Sequence, residues 1–268
     1  MMQHRLHLAI GAFRQHIKEI GKKVVGVICL FPDRHRQANW LAVVVLTISN
    51  EAYLKNVGRI SLSGVQPKAS LVLDSEGHLV KPVEGERGTY ILKPAPSSYA
   101  LLDRKYCPAN EHLTMQLASQ VYHIETAANG ICFFQDGEAA YLCRRFDVGP
   151  DGQKYSQEDF ASLAGLTNAN GGSDYKYCNL SYEECADIIR KYVKAAPVEI
   201  LKFFRIVVFN YLTLNDDAHL KNFSLINRGD GEYHLTPAYD LLSAALTYLR
   251  MMSAQRRHAT IRYKKCWP

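Results

Sequence analysis

An aspartate and an asparagine five residues apart, Asp217 and Asn222, stand directly after a strongly apolar stretch, in the segment NDDAHLKNFSLI. Apolar cores avoid such clusters of polar side chains, so the segment is a candidate for chemistry. A short loop with this spacing can aim a carboxylate at a hydroxyl nucleophile and an amide oxygen at magnesium. Asp216 lacks this relation, because the residue five positions later is Lys221. The pattern favours phosphoryl transfer with Asp217 as the base.

A second acidic side chain is expected to complete the metal site. The segments FSLI and EYHLT read as two strands of a hairpin across the turn NRGDG, after which the chain continues through PAYD. This path would bring Asp240 beside Asn222, and the two side chains would share a magnesium ion. Magnesium takes few protein ligands, mostly oxygens, and leaves its other positions to phosphate and water. An Asp and an Asn at this spacing are also common in surface loops, so the hypothesis needs support elsewhere.

Upstream, a lysine and a glutamate have the order that protein kinases use to hold ATP. Lys93 ends the apolar strand TYILKP, and Glu111 lies near the start of the helix that follows. In protein kinases a strand lysine contacts the α and β phosphates and pairs with a helix glutamate. Each residue also has a simpler interpretation. The lysine would lie at an exposed strand edge, and the glutamate would stabilise the first helical turn.

Several motifs together resemble one family, the HipA kinases, which are bacterial toxin kinases of toxin–antitoxin loci. SLSGVQPKASL is similar to the phosphate loop of that family, NDDAHLKNFSL to its catalytic loop, and TPAYDLLS to the segment that carries its second metal ligand. RRFD, QEDFASLAG and NEHLTMQLA are also similar to family motifs. The resemblance extends from about residue 59 to residue 243. The S-x-S-G form of the loop is closest to the compact HipT branch.

The resemblance implies roles for individual residues. The catalytic set would be Asp217, His219 and Lys221, and the magnesium ligands would be Asn222 and Asp240. The residues implied to contact ATP are Ser63, Gly64, Val65, Lys93, Glu111, Arg144 and Phe146.

Two serines in the phosphate-loop segment are implied to regulate the site. Ser61 and Ser63 match serines that members of the family autophosphorylate. A phosphate there would add nearly two negative charges where the phosphates of ATP must bind, and would repel the nucleotide or displace the loop. The alternative is that both serines simply suit a tight turn.

The elements that must position these residues predict an α+β protein with a two-lobed, protein-kinase-like fold. Residues 59–148 show short alternating apolar strands, expected to form an antiparallel meander, around one helix that Asn110 would cap. This is the β-rich N-lobe. Residues 149–249 are mainly helical and form the C-lobe. Residues 1–58 are an extension with one amphipathic helix and apolar stretches, and residues 250–268 are a basic tail.

Three helices are expected in the C-lobe. One begins at about Ser156, one extends from Ser181 to Ala195, and a strongly apolar one extends from Val198 to Leu214. The second opens with Ser181 followed by Glu184, the pattern of a capping box.

Composition excludes several classes of protein. The net charge of +6 comes from a tail, Arg250 to Pro268, with six Lys or Arg and no acid, so it does not by itself predict nucleic-acid binding. Seven scattered cysteines without a C-x-x-C pair fit free thiols in the cytoplasm. The apolar runs are far shorter than the ~20 residues of a membrane helix, so no membrane contact is expected.

The leading hypothesis is a HipA-like serine/threonine kinase that uses ATP and magnesium. Family substrates are aminoacyl-tRNA synthetases, and the implied partner is an antitoxin, which would supply any contact with nucleic acid. The chain ends soon after Ser243 in a stretch without helical periodicity, which predicts a truncated or frameshifted C-terminus. The alternative is therefore an inactive kinase-fold module that binds nucleotide or antitoxin. A small-molecule kinase of the aminoglycoside type is a third possibility, which the SLSGVQPK segment disfavours.

Overall fold

The structure is a computed structural model of the 268-residue chain. It describes residues 44–45, 68–75, 78–95, 104–172, 174–178 and 180–243. The predicted N-terminal helix and the basic tail lie outside the described residues. So do residues 61–67 of the predicted phosphate loop, among them Ser61, Ser63, Gly64 and Val65.

The first lobe is a six-stranded sheet with a helix packed against two of its strands. The strands are β1 (Val44–Val45), β2 (Ala69–Leu73), β3 (Leu79–Val80), β4 (Tyr90–Pro94), β5 (Asn129–Phe133) and β6 (Ala139–Arg144). A 3-10 turn, Arg104–Tyr106, leads into helix α1 (Cys107–Gln120), which packs on β5 and β6. The strand order is β1-β5-β6-β4-β2-β3, and only the pair of β1 and β5 is parallel within the described residues.

The strands predicted from residue 68 onward are present, but they do not form a simple meander. The strand predicted at residues 59–64 lies outside the described residues. β3 pairs with one side of β2, and β4 pairs with the other side and then with β6. Burial explains this order, because Leu92 of β4 and Leu142 of β6 lie opposite each other and are both fully buried. They pack with Leu71 of β2 and Phe134 in one apolar cluster. β4 is therefore an interior strand, which matters for the position of Lys93.

The second lobe combines a small sheet with five helices in its described part. β7 (Ser156–Asp159), β8 (Ser224–Asn227) and β9 (His234–Leu235) form an antiparallel three-stranded sheet. The helices are α2 (Phe160–Leu163), α3 (Asn168–Gly171), α4 (Tyr175–Cys178), α5 (Tyr182–Tyr192) and α6 (Ala196–Thr213). A 3-10 turn, Leu220–Asn222, precedes β8.

The prediction of a helix from about Ser156 is wrong for its first four residues. Residues Ser156–Asp159 form a strand, because they pair along β8 from Ser156 opposite Asn227 to Asp159 opposite Ser224. The helix begins only at Phe160. Asp159 caps it by accepting a hydrogen bond from the main-chain N of Ser162 at 2.8 Å.

The other two C-lobe helices agree closely with the prediction. In α5 the capping box is present, since Ser181 Oγ accepts from Glu184 N at 3.2 Å and Glu184 Oε2 accepts from Ser181 N at 2.7 Å. α6 ends where Leu214 takes a left-handed conformation with φ of 54°.

A second apolar cluster joins the two lobes. It includes Met115 of α1 and Tyr141 of β6 together with the main C-lobe core. Three rings at its centre, Phe160, Phe203 and Phe223, have centroids 5.1–5.9 Å apart. Phe223 directly follows the 3-10 turn, so this packing anchors the predicted catalytic loop on α6 and α2.

The outer face of α6 is apolar and exposed. Its exposed residues include Val198, Leu201, Phe204, Val208, Tyr211 and Leu212. Contiguous apolar surface of this kind is typical of a face that contacts another polypeptide segment. None of the helices in the described ranges is long and apolar enough to cross a membrane.

Candidate functional site

A buried lysine lies between two carboxylates where the lobes meet. Lys93 of β4 is 7% exposed, and its Nζ donates hydrogen bonds to Glu111 Oε1 at 2.7 Å and to Asp240 Oδ1. The ring of Tyr141, the cross-strand neighbour of Lys93 on β6, has its centroid 5.3 Å from the same Nζ. The sheet, helix α1 and the segment after β9 each supply one charged group to this point.

The charges of this cluster depend on one another. Burial disfavours the charged form of Lys93, but Asp240 and Glu111 outweigh it and raise the pKa of the lysine. Burial raises the pKa of Glu111 to about 7, against the opposing charge of Lys93. Burial also disfavours ionised Asp240, but Lys93 holds the pKa of that carboxyl below its usual value. Asp240 is therefore ionised at neutral pH.

The simpler interpretations of Lys93 and Glu111 are wrong. β4 lies between β6 and β2, so Lys93 is not on an exposed edge. α1 starts at Cys107 with Pro108 in its first turn and has no acidic residue in that turn, which places Glu111 one turn further along. The structure brings the two side chains together as an ion pair instead.

Asn110 is likewise not a helix cap, because α1 begins before it. Its side chain faces the segment that follows Asp240. Asn110 Oδ1 accepts from Ser243 N at 3.0 Å, and Asn110 Nδ2 donates to Ser243 O at 2.8 Å. These two hydrogen bonds fix the strand of chain that carries Asp240 against α1.

The predicted catalytic loop follows α6. Asp217 lies on an exposed turn, where its Oδ1 accepts a hydrogen bond from Tyr177 OH at 2.9 Å. Asn222 Oδ1 accepts from His219 N at 2.9 Å, and Asn222 Nδ2 lies 3.4 Å from Asp240 Oδ2. The structure thus brings Asn222 and Asp240 together, as their places on either side of the β8–β9 hairpin predict.

Asn222 and Asp240 both carry oxygens of the type that magnesium binds. The Asn222 amide oxygen keeps a lone pair beyond its bond to His219 N, and the Asp240 side chain is 38% exposed. The backbone of Asp240 is left-handed, with φ of 55°. Residues other than glycine rarely adopt this conformation. The described ranges contain no group of three or more His, Cys, Asp and Glu that could hold a metal alone. One carboxylate and one amide suit an ion completed by phosphate and water.

The other two residues of the predicted catalytic set have different surroundings. Burial lowers the pKa of His219, so its ring is neutral at neutral pH. The ring packs edge-on against Tyr177 with centroids 5.1 Å apart, and its buried Nδ1 has no hydrogen-bond partner among the described residues. Lys221 Nζ lies 2.9 Å from Asp159 Oδ2, and this hydrogen bond raises the pKa of the lysine. Lys221 therefore joins the catalytic loop to β7.

The two residues predicted along the adenine edge lie in the link between the lobes. Arg144 ends β6 with an exposed side chain. Phe146 is half-buried, with its ring centroid 5.5 Å from that of Tyr239. Between them, Arg145 donates two hydrogen bonds to Asp147, at 2.9 and 2.7 Å, which stiffens the link.

Sequence reasoning missed three residues of this site. Lys68 is half-buried, and burial together with the charge of Lys93 lowers its pKa. The sequence does contain an indication for Lys68, because this lysine is the last residue of the SLSGVQPK segment. Lys176 and Tyr177 come from α4, and Tyr177 is 40 residues from its partner Asp217, with no periodicity to indicate the contact.

Comparison with known proteins places the chain among bacterial relatives. The family model described as HipA-like C-terminal domain matches residues 60–266. A Haemophilus influenzae protein bearing the name "putative kinase" is 30% identical over 192 residues, which are 69% of this chain and 53% of that protein. A Sinorhizobium fredii relative named in the same way, Y4mE, is 31% identical over 197 residues, 69% of this chain and 42% of its own length. The chain thus spans about half the length of the curated relatives it matches.

A solved structure shares the fold. It is a chain of the Shewanella oneidensis MR-1 toxin–antitoxin complex of HipA, HipB and operator DNA, with a TM-score of 0.54 and 21% identity, over 93% of this chain and 67% of that one. The predicted two-lobed α+β fold is confirmed.

Proposed function

The chain belongs to the HipA-like C-terminal domain family, and on this premise we propose that it is an ATP-dependent kinase that phosphorylates a serine or threonine of a protein. One observation carries the proposal. A lysine on an interior strand is paired with a helix glutamate and with an aspartate that adjoins an asparagine, across the junction of two lobes. Kinases need this set to hold phosphates and magnesium.

Each charged residue at the lobe junction would have its own role in holding ATP and magnesium. Lys93 would bind the α and β phosphates while Glu111 keeps it charged and in place. Asn222 and Asp240 would hold magnesium, which supplies positive charge to the β and γ phosphates when bound. Asp240 would then exchange its contact with Lys93 for the metal. Lys68, whose pKa is lowered by the charge of Lys93, would add a second positive charge for the phosphates.

Asp217 would act as the base. The acceptor hydroxyl oxygen forms a bond to the γ phosphorus as the bond from that phosphorus to the β-γ bridging oxygen breaks, and the hydroxyl proton passes to the Asp217 carboxylate. Asp217 is exposed and therefore accessible to a protein substrate. His219 is neutral and uncharged beside this base, and would orient the loop rather than compete for the proton.

The remaining roles extend the same proposal. Ser63, Gly64 and Val65 would cover the phosphates, and Arg144 and Phe146 would border the adenine. Phosphorylation of Ser61 or Ser63 would switch the site off by repelling nucleotide. The substrate class would be aminoacyl-tRNA synthetases in the cytoplasm. The solved relative was crystallised with HipB and operator DNA, which supports an antitoxin as the partner and DNA contact only through it.

Intact-mass analysis with ATP and magnesium tests the proposal. We expect the purified chain to gain phosphate, and Asp217→Asn to slow this gain by about 100-fold or more, the usual contribution of a general base. The variant should still bind nucleotide. Asp216→Asn is the matched control, one residue away, and should keep most of the activity. Equal rates for wild type and Asp217→Asn would contradict the proposed base.

The same experiment separates the alternative. A chain that is stabilised by ATP and magnesium against heat, but never gains phosphate, would instead be a non-catalytic module that binds nucleotide or antitoxin.

A further inference from the structure

A tyrosine from outside the catalytic loop contacts the proposed base. Tyr177 lies on the short helix α4, and its hydroxyl donates a hydrogen bond of 2.9 Å to Asp217 Oδ1. Neither residue is a neighbour of the other in sequence, so tertiary packing alone creates the contact.

Asp217 needs such a contact because of where it lies. It is on an exposed turn between α6 and the 3-10 turn, and an exposed carboxylate samples several rotamers. Among the described residues, the hydrogen bond from Tyr177 is the one that fixes its carboxylate. A base must lie within hydrogen-bond reach of the proton it accepts, so a mobile carboxylate would spend little time in the reactive position.

Tyr177 is itself held in place on two sides. Its ring packs edge-on against His219, with centroids 5.1 Å apart and an interplanar angle of 71°. The Nζ of Lys176 lies 4.8 Å from the centroid of the same ring. His219 belongs to the catalytic loop, so the ring and the hydroxyl of Tyr177 contact that loop at two points. The phenol is thereby oriented before any substrate binds.

We infer that Tyr177 is a positioning residue for the proposed base. It holds Oδ1 of Asp217 and leaves Oδ2 to accept the proton of the acceptor hydroxyl. A carboxylate has two oxygens and about four acceptor sites, so one hydrogen bond does not prevent the second oxygen from acting. The inference rests on the proposed function, and adds to it that α4 is part of the catalytic machinery.

The test removes the hydroxyl and keeps the ring. In Tyr177→Phe we expect kcat for phosphoryl transfer to fall about 10-fold to 100-fold, the range of a hydrogen bond to a charged group. The KM for ATP and the melting temperature should stay at the wild-type values, because the ring still packs on His219. Tyr122→Phe, which removes a hydroxyl from the turn that follows α1, is the matched control and should retain wild-type kcat.

A double variant shows whether Tyr177 acts through Asp217. In the Asp217→Asn background, Tyr177→Phe should cause no further loss of kcat, since the group that it positions is already absent. The same fold-loss in both backgrounds would mean a general structural role and would overturn the inference. An unchanged or increased kcat in the single variant would also overturn it.

The outcomes separate this inference from the proposed function. An active wild type with an unaffected Tyr177→Phe overturns only the positioning role. A wild type that binds ATP but transfers no phosphate overturns the proposed function, and the positioning role with it.

Discussion

At the scale of single residues, the lysine at the lobe junction is held by two carboxylates from different elements. Lys93 is buried, and its charge is compatible with burial only because Glu111 and Asp240 both contact it. Removing one member of a buried ion pair costs more than the pair itself contributes, since the remaining charge is left without a partner. Comparing the stability cost of removing one charge with the cost of removing two therefore measures how strongly these side chains interact.

We predict that Lys93→Met lowers the free energy of unfolding by about 3 to 5 kcal/mol, because it leaves two carboxylates without their cation. The double variant Lys93→Met/Glu111→Gln should lose less than the sum of the two single variants, since no buried carboxylate remains at position 111. Urea denaturation of the four proteins at about pH 7.5 measures this. Strict additivity would show that the two side chains do not interact.

At the scale of elements, helix α1 connects the site to the sheet by adjacent residues. Asn110 contacts the segment that follows Asp240, and Glu111 contacts Lys93. His112 faces β5 instead. His112 Nδ1 donates to Asn129 Oδ1 at 2.8 Å, and the same oxygen accepts from Gln116 at 3.2 Å. Burial lowers the pKa of His112 from its usual 6.5, so it stays neutral in the folded protein.

This burial makes stability depend on pH. Below about pH 6.5 the unfolded chain binds a proton at His112 that the folded chain resists, so this residue's contribution is lost as the pH falls. We predict that wild type loses more stability between about pH 7.5 and 5.5 than His112→Gln, which keeps a donor for Asn129 but does not titrate. Denaturant unfolding at both pH values measures the difference. Equal losses would contradict the prediction.

At the scale of the whole molecule, apolar packing and directional polar contacts both hold the lobes together. The shared apolar cluster of Met115, Tyr141 and the C-lobe rings is non-directional and sets the overall packing. The hydrogen bonds between Asn110 and Ser243 are directional and set the position of the chain next to Asp240. The position of the proposed metal ligand therefore depends on a helix in the other lobe.

We predict that Asn110→Ala lowers the free energy of unfolding by about 2 to 4 kcal/mol, because it removes two buried hydrogen bonds to the main chain of Ser243. It should also weaken nucleotide binding, since Asp240 lies three residues away. Ser243→Ala keeps both main-chain groups and should cost less. Thermal unfolding with and without ATP and magnesium tests this, and an equal cost for both variants would argue against the hydrogen bonds.

Much of the site could be predicted from the sequence because its key spacings are local. Asp217 and Asn222 share one short loop, and the hairpin of β8 and β9 returns the chain to Asp240. The capping box at Ser181 is local in the same way. Such features depend on few backbone angles, which nearby residues set. The fold class followed from the same kind of pattern, alternating apolar strands followed by helical spacing.

Contacts over long sequence separation were decided only by the tertiary structure. The sequence allows Lys93 and Glu111 to be either an ion pair or two separate surface residues. The interior position of β4 in the sheet decides for the ion pair. Asn110 was expected to cap α1, and residues from Ser156 were expected to be helical, because local pattern cannot report pairing with Ser243 or with β8. The sequence by itself determined which side chains are candidates for phosphoryl transfer. Only packing between distant segments determined that Tyr177 reaches Asp217 and that Lys93 lies between two carboxylates, because burial and long-range pairing belong to the whole chain.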